Sequence, residues 1–176
     1  MSTNIFIENS RFIFDTNFAG DPSKDFYGSD QRKGNIIIPD HTLAEQMIED
    51  GFNVKMTKPS KKMIEEGRTD EFQQEYFVKI IANFNSQWPP RVYLITEDGC
   101  DVSLNEKTVG QIDRMWIEKV NVVLNPYEGP RGKSLYIKSM EVFQKASEDP
   151  ISRRHTRKAM DESISDDTDR EELPFD

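Results

Sequence analysis

Aromatic and basic side chains stand two residues apart in three β-prone segments of the chain. Residues at that spacing point to the same face of a strand. The pairs are Phe77 with Lys79, Arg91 with Tyr93, and Tyr136 with Lys138. Planar rings stack on nucleobases, and ammonium or guanidinium groups follow the phosphates of a single strand. The pattern therefore indicates a surface for single-stranded nucleic acid.

Loops and strand ends supply further rings and cations of the same kind. The additional candidates for contact with nucleic acid are Trp88, Arg114, Trp116, Tyr127, Arg131 and Lys133. Because the faces of a small barrel alternate, about half of all its aromatic side chains should point into the core. A core role therefore stays open for each ring alone, and the bases beside the rings favour a binding surface for the set.

The residues that usually carry catalysis or metal binding are sparse and badly spaced. His41, His155 and Cys100 stand at no metal-ligand spacing, and no phosphate-binding or nucleophile motif is present. Asp98 and Asp101 flank Gly99-Cys100, which is typical of an exposed hairpin turn. We therefore predict a protein that is not an enzyme, with no metal site and no cofactor.

The negative charge is concentrated at the end of the chain. The net charge is −9 over 176 residues. Residues 161–176 contain eight acids and one base, hence −7, which leaves −2 for residues 1–160. Between positions 131 and 160 there are eight Lys or Arg against three acids. A basic region followed by an acidic tail indicates interaction with a polyanion.

The hydrophobic pattern gives no sign of a membrane or secretory protein. No run of eighteen apolar residues is present, and the first residues lack a basic segment followed by an apolar one. The single cysteine cannot form an internal disulfide, which fits a reducing compartment. We expect a cytoplasmic protein with no membrane contact.

Most apolar runs are typical of strands. Strands are predicted within residues 12–14, 36–38, 52–56, 76–84, 91–96, 102–104, 112–124 and 134–143, with a bulge near 119–120 and a turn at 125–130. Residues 41–51 are predicted to form a helix, with Thr42 and Glu45 as a capping box and Gly51 as the stop. Residues 61–67 are a short helix or a loop.

These elements indicate a mainly β fold. Five or more strands, one helix between early strands and a bent long strand favour an OB-fold-like small β-barrel with one or two short helices. A β-sandwich is the alternative, because strand spacing does not separate the two. Apolar periodicity ends after Gln144, so residues 1–146 are the predicted domain, 147–160 a basic linker and 161–176 a disordered acidic tail.

Two parts of the chain resemble phage-type single-stranded DNA-binding proteins of OB-fold architecture. In the body the similarity lies in GNIIIPDHTLAEQMI, YFVKIIANF and VNVVLNPYEGPRGKSLYIKSMEVFQ. At the end, DDTDREELPFD resembles the acidic tip with a terminal aromatic residue in bacterial and phage proteins of this class. Here Asp176 follows Phe175, so the ring is penultimate. The resemblance covers most of residues 10–145 and the tail.

The resemblance implies sequence-tolerant binding and protection of single-stranded DNA in DNA replication, recombination and repair. It implies that the tail recruits replication proteins such as a polymerase or primase-helicase, in the cytoplasm of a bacterial host if the protein is phage-encoded. The tail residues concerned are Asp166, Asp167, Asp169, Glu171, Glu172, Leu173, Pro174 and Phe175. A tethered acidic tail would also compete with DNA for its own basic groove.

Other readings stay open at this point. The chain could be a β-barrel protein-interaction factor or DNA mimic without affinity for nucleic acid, although the basic run at 153–158 argues against mimicry. An RNA-binding barrel fits the same rings, because stacking does not distinguish the sugars. The run at 152–160 is either a phosphate-binding arm or a solvated spacer, and the tail could serve solubility alone. A homodimer is neither indicated nor excluded.

Overall fold

Nine strands and two α-helices form the part of the chain that the computed structural model describes, which is residues 4–130, 132–146 and 151. The strands are β1 (Ile5–Ser10), β2 (Phe12–Asn17), β3 (Arg32–Ile38), β4 (Lys55–Met56), β5 (Tyr76–Ala82), β6 (Arg91–Ile95), β7 (Asp101–Leu104), β8 (Ile117–Gly129) and β9 (Gly132–Gln144). The helices are α1 (His41–Glu49) and α2 (Lys61–Glu65). The mainly β class with short helices is confirmed.

All nine strands belong to one sheet, so the alternative of two packed sheets is wrong. The main path of hydrogen-bonded neighbours is β1-β8-β9-β5-β3-β2; β4 pairs with β5, and β6 lies between β7 and β9. Among the described strands this path is open, because β1 and β2 at its two ends do not pair with each other. They are nevertheless consecutive in the chain, separated only by Arg11. The sheet must therefore curl round so that its two ends lie next to each other.

The bend that joins β1 to β2 lies at Ser10 and Arg11. Asn9 has a positive φ of 54°, a conformation that asparagine tolerates better than most residues. The backbone N–H of Ile37 donates to the Arg11 carbonyl at 3.0 Å, and the buried Ser10 hydroxyl donates to the Ile37 carbonyl. These bonds hold the bend against β3, which lies near the other end of the path.

One hydrophobic core fills the space inside the curled sheet. The inward face of β5 carries Val78, Ile80 and Ala82, as the alternation in the sequence predicts, and all three are buried. Fully buried residues from other strands and turns complete the core, among them Phe18, Ile36, Ile38, Leu94, Ile112, Leu124, Leu135 and Met140. The opposite face of the sheet is only partly open, because Ile37, Phe77 and Ile81 on that face are buried as well.

Helix α1 forms where the sequence predicts it, but a different residue caps it. The Asp40 carboxylate accepts from the backbone N–H groups of Thr42 and Leu43, so Asp40 is the N-cap and the predicted Thr42 capping box is wrong. An aspartate also matches the positive end of the helix dipole. Gly51 ends the helix at φ +93°, as predicted, and Met47 on the inner side is buried.

The hairpin of β8 and β9 is longer than the sequence predicts. Residues 125–130 are not a turn, because residues 125–129 continue β8 and pair down to Gly129 opposite Gly132. Pro126 is tolerated there because β1 pairs with β8 only as far as Leu124, so the outer edge of β8 needs no N–H donor beyond it. The predicted bulge near 119–120 is confirmed by a register shift between Ile117 and Lys119.

The segment before β8 is not a strand, although the sequence predicts one from residue 112. Val109–Arg114 forms a 3₁₀ turn that fastens the outer side of β2. The Asp113 carboxylate accepts from the Thr16 hydroxyl at 2.6 Å and from the backbone N–H groups of Phe18 and Ala19 at 2.8 and 2.9 Å. These bonds attach the turn to Thr16 at the end of β2 and to the two residues that follow the strand.

Replacing Asp113 should loosen this fastening. We expect Asp113→Ala to lower the free energy of unfolding by about 2 kcal/mol, because two backbone donors and a hydroxyl lose a charged acceptor. Asp113→Asn keeps the oxygen that serves two of the three donors and should cost about half as much. Urea unfolding measures both values. The control is Asp101→Ala on the exposed side of β7, and equal stability of the Asp113→Ala and Asp101→Ala variants would contradict the role assigned to Asp113.

Candidate nucleic-acid interface

A row of side chains crosses four strands on the outer face of the sheet. Lys33 on β3 lies opposite Ile81 on β5, Ile81 opposite Tyr136 on β9, and Tyr136 opposite Asn125 on β8. Directly opposed residues share a face, and this face is the one that does not carry the core residues Ile36 and Ile80 of the same strands. The outer face thus runs without interruption from β3 to β8.

A cleft opens on this face where the β8–β9 hairpin leaves the sheet. We call it the hairpin cleft; it has a volume of about 630 Å³, and its walls include Asn83, Trp88, Asn125, Tyr127, Tyr136 and Lys138. The rings of Tyr127 and Tyr136 meet edge-on, with centroids 6.0 Å apart and planes at 81°. Trp88, in the loop after β5, is 83% exposed. Four of the sequence-predicted residues are therefore gathered around one opening.

Four other predicted residues lie on the outer face beside this cleft. Lys79 is exposed and opposite Asn35, and Arg91 is exposed and opposite Ser139. Tyr93 is half-buried opposite Glu141. The ring of Phe77, by contrast, is 9% exposed and packs edge-on against another ring, so it supports the face more than it presents a free surface.

Of the remaining predicted residues, the three that the structure describes, Arg114, Trp116 and Lys133, do not line the hairpin cleft. The Lys133 ammonium donates to the Asp50 carbonyl at the end of α1 and lies 5.1 Å from the Phe52 ring, so its charge stabilises the end of that helix. Arg131 lies outside the described residues, as do the acidic tail and the basic linker apart from Ile151. Arg114 is the last residue of the 3₁₀ turn before β8, and Trp116 follows it two positions later.

Trp116 lines a second cleft, between β2 and the start of β8. We call it the seam cleft; it measures about 810 Å³, and its walls include Arg11, Phe14, Asp15, Asp113, Trp116 and Lys145. Two cations and two carboxylates line it, so its charge is balanced. The Asp113 carboxylate is already engaged by β2, and Arg11 is paired with Glu75 at 2.5 Å.

Phe14 lies between Phe77 on the outer face and the seam cleft, and it was not among the residues predicted from the sequence. Its ring lies 5.3 Å from the Phe77 ring at 81°, it also lines the seam cleft, and it is 65% exposed. Its φ is +63°, which strains any residue with a bulky side chain. Strain of this kind persists where the surroundings enforce it and often marks functional sites. In the sequence Phe14 passes for one more apolar residue of a strand.

The loop before β3 presents two further aromatic residues that are not among the candidates predicted from the sequence. Phe26 and Tyr27 are 91% and 89% exposed, and their rings meet edge-on at 4.9 Å. The useful signal was an aromatic pair within a segment otherwise rich in Gly, Asp and Ser. Such a segment has no core of its own in which to bury two rings.

Asp25 holds this loop in place. Its side chain is 4% exposed, and it accepts from the Lys33 ammonium and from the backbone N–H groups of Ser29 and Tyr27. These hydrogen bonds lower the pKa of Asp25 from its usual 3.8 to about 2, and the bond from Lys33 has the largest effect. Because the folded-state pKa is depressed, the stabilisation is complete above pH 3.8 and is lost only as the pH falls through about 2. The loop is therefore held throughout the physiological range.

The outer face around the hairpin cleft offers rings, cations and amides. Within residues 4–130, 132–146 and 151, no cluster of three His, Cys, Asp or Glu side chains could hold a metal ion. Over the same residues, no helix is long and apolar enough to cross a membrane. What the outer face can do chemically is stack on planar groups and pair with phosphates.

The chain matches a known family over almost its whole length. The model of the phage ssDNA-binding domain family covers residues 1–172. The chain belongs to this family. Single-stranded DNA binding is therefore its class of function, which confirms the family and the ligand class that the resemblance implies. No curated protein matches the chain.

Solved structures of the same class are similar at a low level. The single-stranded DNA-binding protein of bacteriophage Enc34, truncated at its C-terminus, has 10% identity and a TM-score of 0.46, with 82% of this chain and 87% of that chain covered. The Enc34 protein in complex with ssDNA has 11% identity and a TM-score of 0.43, with 84% and 88% covered. For gp2.5 of bacteriophage T7 the values are 10% and 0.37, with 85% and 90% covered.

Two variants of Phe14 should separate its effect on stability from its effect on DNA. We expect Phe14→Ala and Phe14→Gly to weaken binding of a single-stranded oligonucleotide alike, by about fivefold or more, because both remove a stacking ring. Phe14→Gly should be the more stable of the two by about 1 kcal/mol, since only glycine adopts this φ without strain. Fluorescence titration and urea unfolding measure the two quantities. Unchanged affinity in both variants would show that the ring does not contact DNA.

Proposed function

We propose that the protein coats single-stranded DNA with little sequence preference, and that the hairpin cleft and the neighbouring outer face of β5, β6 and β9 are its binding surface. The observation that carries this proposal is the convergence of Trp88, Tyr127, Tyr136 and Lys138 on one opening. Membership of the family supports the ligand class.

The composition of the cleft supports tolerance of sequence. Every nucleobase has a π-face, so stacking on tyrosine or tryptophan accepts all four bases. Lys138, Lys79 and Arg91 are exposed on the same face and are free to meet phosphates at several positions along a strand. Such contacts suit protection of single strands exposed during replication, recombination and repair, in the cytoplasm of a bacterial host.

Lysine variants test the location of the surface. Each phosphate that a protein neutralises on a single strand contributes roughly −0.7 to the slope of log affinity against log salt concentration. We expect Lys138→Ala to weaken binding to oligo-dT and to make the slope less steep by about 0.7. Lys61→Ala, on the exposed side of α2, removes the same charge and should leave the slope unchanged. Quenching of tryptophan fluorescence provides the readout.

The outcomes of this titration discriminate between the functions considered. Equal slopes for Lys138→Ala and Lys61→Ala would place the phosphates elsewhere on the protein. No affinity of the wild-type protein for oligo-dT at low salt would refute the proposal and favour a protein-interaction factor. Equal affinity for oligo-rU would show that the surface does not distinguish RNA from DNA.

We further propose that the acidic tail recruits replication proteins, such as a polymerase or a primase-helicase, and competes with DNA for the binding surface. The support comes from the sequence, in which residues 161–176 carry −7 of the net −9 and end in Leu173-Pro174-Phe175. A tether raises the local concentration of the acids near the groove. The apolar tip suits a partner pocket surrounded by basic residues.

Tail variants separate the two roles. Deletion of residues 161–176 should strengthen binding to oligo-dT at low salt and abolish binding to a partner enzyme. Phe175→Ala should abolish only partner binding, because it leaves the charge unchanged. Replacement of the tail acids by their amides should remove the competition, an effect that must fade at high salt, and should also weaken partner binding, because the basic residues around the pocket lose their counter-charges. Weaker DNA binding after the deletion would contradict the competition mechanism.

A further inference from the structure

The two most exposed large hydrophobic side chains among the described residues stand next to each other. Phe26 and Tyr27 are 91% and 89% exposed and touch each other edge-on. Burying such rings would be favourable, so exposing both carries a cost in solubility that needs a reason. Each ring keeps one face free for a planar ligand.

The loop that carries the rings is ordered rather than loose. Asp25, immediately before them, binds Lys33 and two backbone N–H groups of the loop. The backbone N–H of Gly28, immediately after them, donates to the Asp25 carbonyl at 3.2 Å, and Gly28 has φ +73°. The rings are thus presented by a preformed turn, which lowers the entropic cost of binding with them.

The same loop borders the outer face. Its flanking residues Ser29 and Arg32 line a cleft of about 450 Å³, which we call the loop cleft. Asn83 and Tyr136 line both the loop cleft and the hairpin cleft, so the two openings adjoin at these residues. Lys33, to which the loop is fastened, belongs to the row that includes Tyr136. A strand leaving the hairpin cleft past Tyr136 would therefore meet the loop.

We propose that Phe26 and Tyr27 form an aromatic clamp that stacks on a nucleobase of the bound single strand, at the end of the outer face opposite the hairpin. Exposed Lys24, two residues before Phe26, supplies a cation for the adjoining phosphate. Asp25 and Gly28 are positioning residues. The clamp rests on the proposed function and extends it, since it adds a contact beyond the hairpin cleft.

A comparison of strands with and without bases tests the clamp. The probes are an oligo-dT of about 16 nucleotides and a strand of equal length with abasic sites throughout. The leucine variant, Phe26→Leu with Tyr27→Leu, keeps apolar side chains but removes both rings. The matched control is the ring-swapped variant, Phe26→Tyr with Tyr27→Phe, which retains them. We expect the leucine variant to bind oligo-dT about tenfold more weakly than the wild-type and ring-swapped proteins, and all three to bind the abasic strand equally.

The failure of the clamp is distinguishable from the failure of the proposed function. Tight binding of oligo-dT by both the wild-type protein and the leucine variant would overturn the clamp alone and assign the rings to another contact, such as a protein surface. Equal losses on both strands would also overturn it, because a stacking contact requires a base. No binding by the wild-type protein would overturn both proposals.

Two further measurements test whether the leucine variant is still folded and whether the two rings contact DNA directly. Thermal unfolding should give the same midpoint for the leucine variant and the wild-type protein, since the rings are almost fully exposed. Photocrosslinking with 5-iododeoxyuridine in the strand should attach DNA to Phe26 or Tyr27. Adducts confined to residues outside the loop would overturn the clamp.

Discussion

Strands β1 and β2 are consecutive in the chain but stand at opposite ends of the sheet, and the bend at Ser10 and Arg11 makes this possible. β1 pairs with β8, β2 pairs with β3, and the two hydrogen bonds to Ile37 hold the joint between them. The bend therefore allows two consecutive strands to stand at opposite ends of the path. With it, one face encloses the core and the other carries the row from Lys33 to Asn125.

The interior of the fold could be predicted from the sequence more readily than its margins. Alternation of apolar residues identifies the inward face of β5 correctly, and the helical period identifies α1, because burial acts on every second or every third to fourth residue. The hairpin tip and the 3₁₀ turn were mispredicted for local reasons. Pro126 is compatible with the unpaired edge of a strand, and Asp113 acts through contacts with β2, nearly a hundred positions earlier in the chain.

In the candidate site, too, local spacing predicts which residues of one strand share a face, while contacts between distant parts of the chain could not be predicted. Spacing within one strand indicates that Tyr136 and Lys138 share a side, but only the pairing of strands shows that Trp88 and Tyr127 join them. Lys133 carries a charge that could bind phosphate, but its ammonium group donates to the Asp50 carbonyl at the end of α1 instead. Phe14 could not be recognised from composition, since its exposure follows from a positive φ at an irregularity between β2 and β3.

The arrangement of the strands also bears on how copies of the protein avoid one another. Unpaired strand edges are templates for association between molecules. The two strands off the main path that pair on one side only, β4 and β7, contain only two and four residues. Directly after β2, the backbone N–H groups of Phe18 and Ala19 are occupied by the carboxylate of Asp113. Neighbouring copies of the protein therefore find little free backbone on β4, on β7 or at the end of β2 for edge-to-edge pairing.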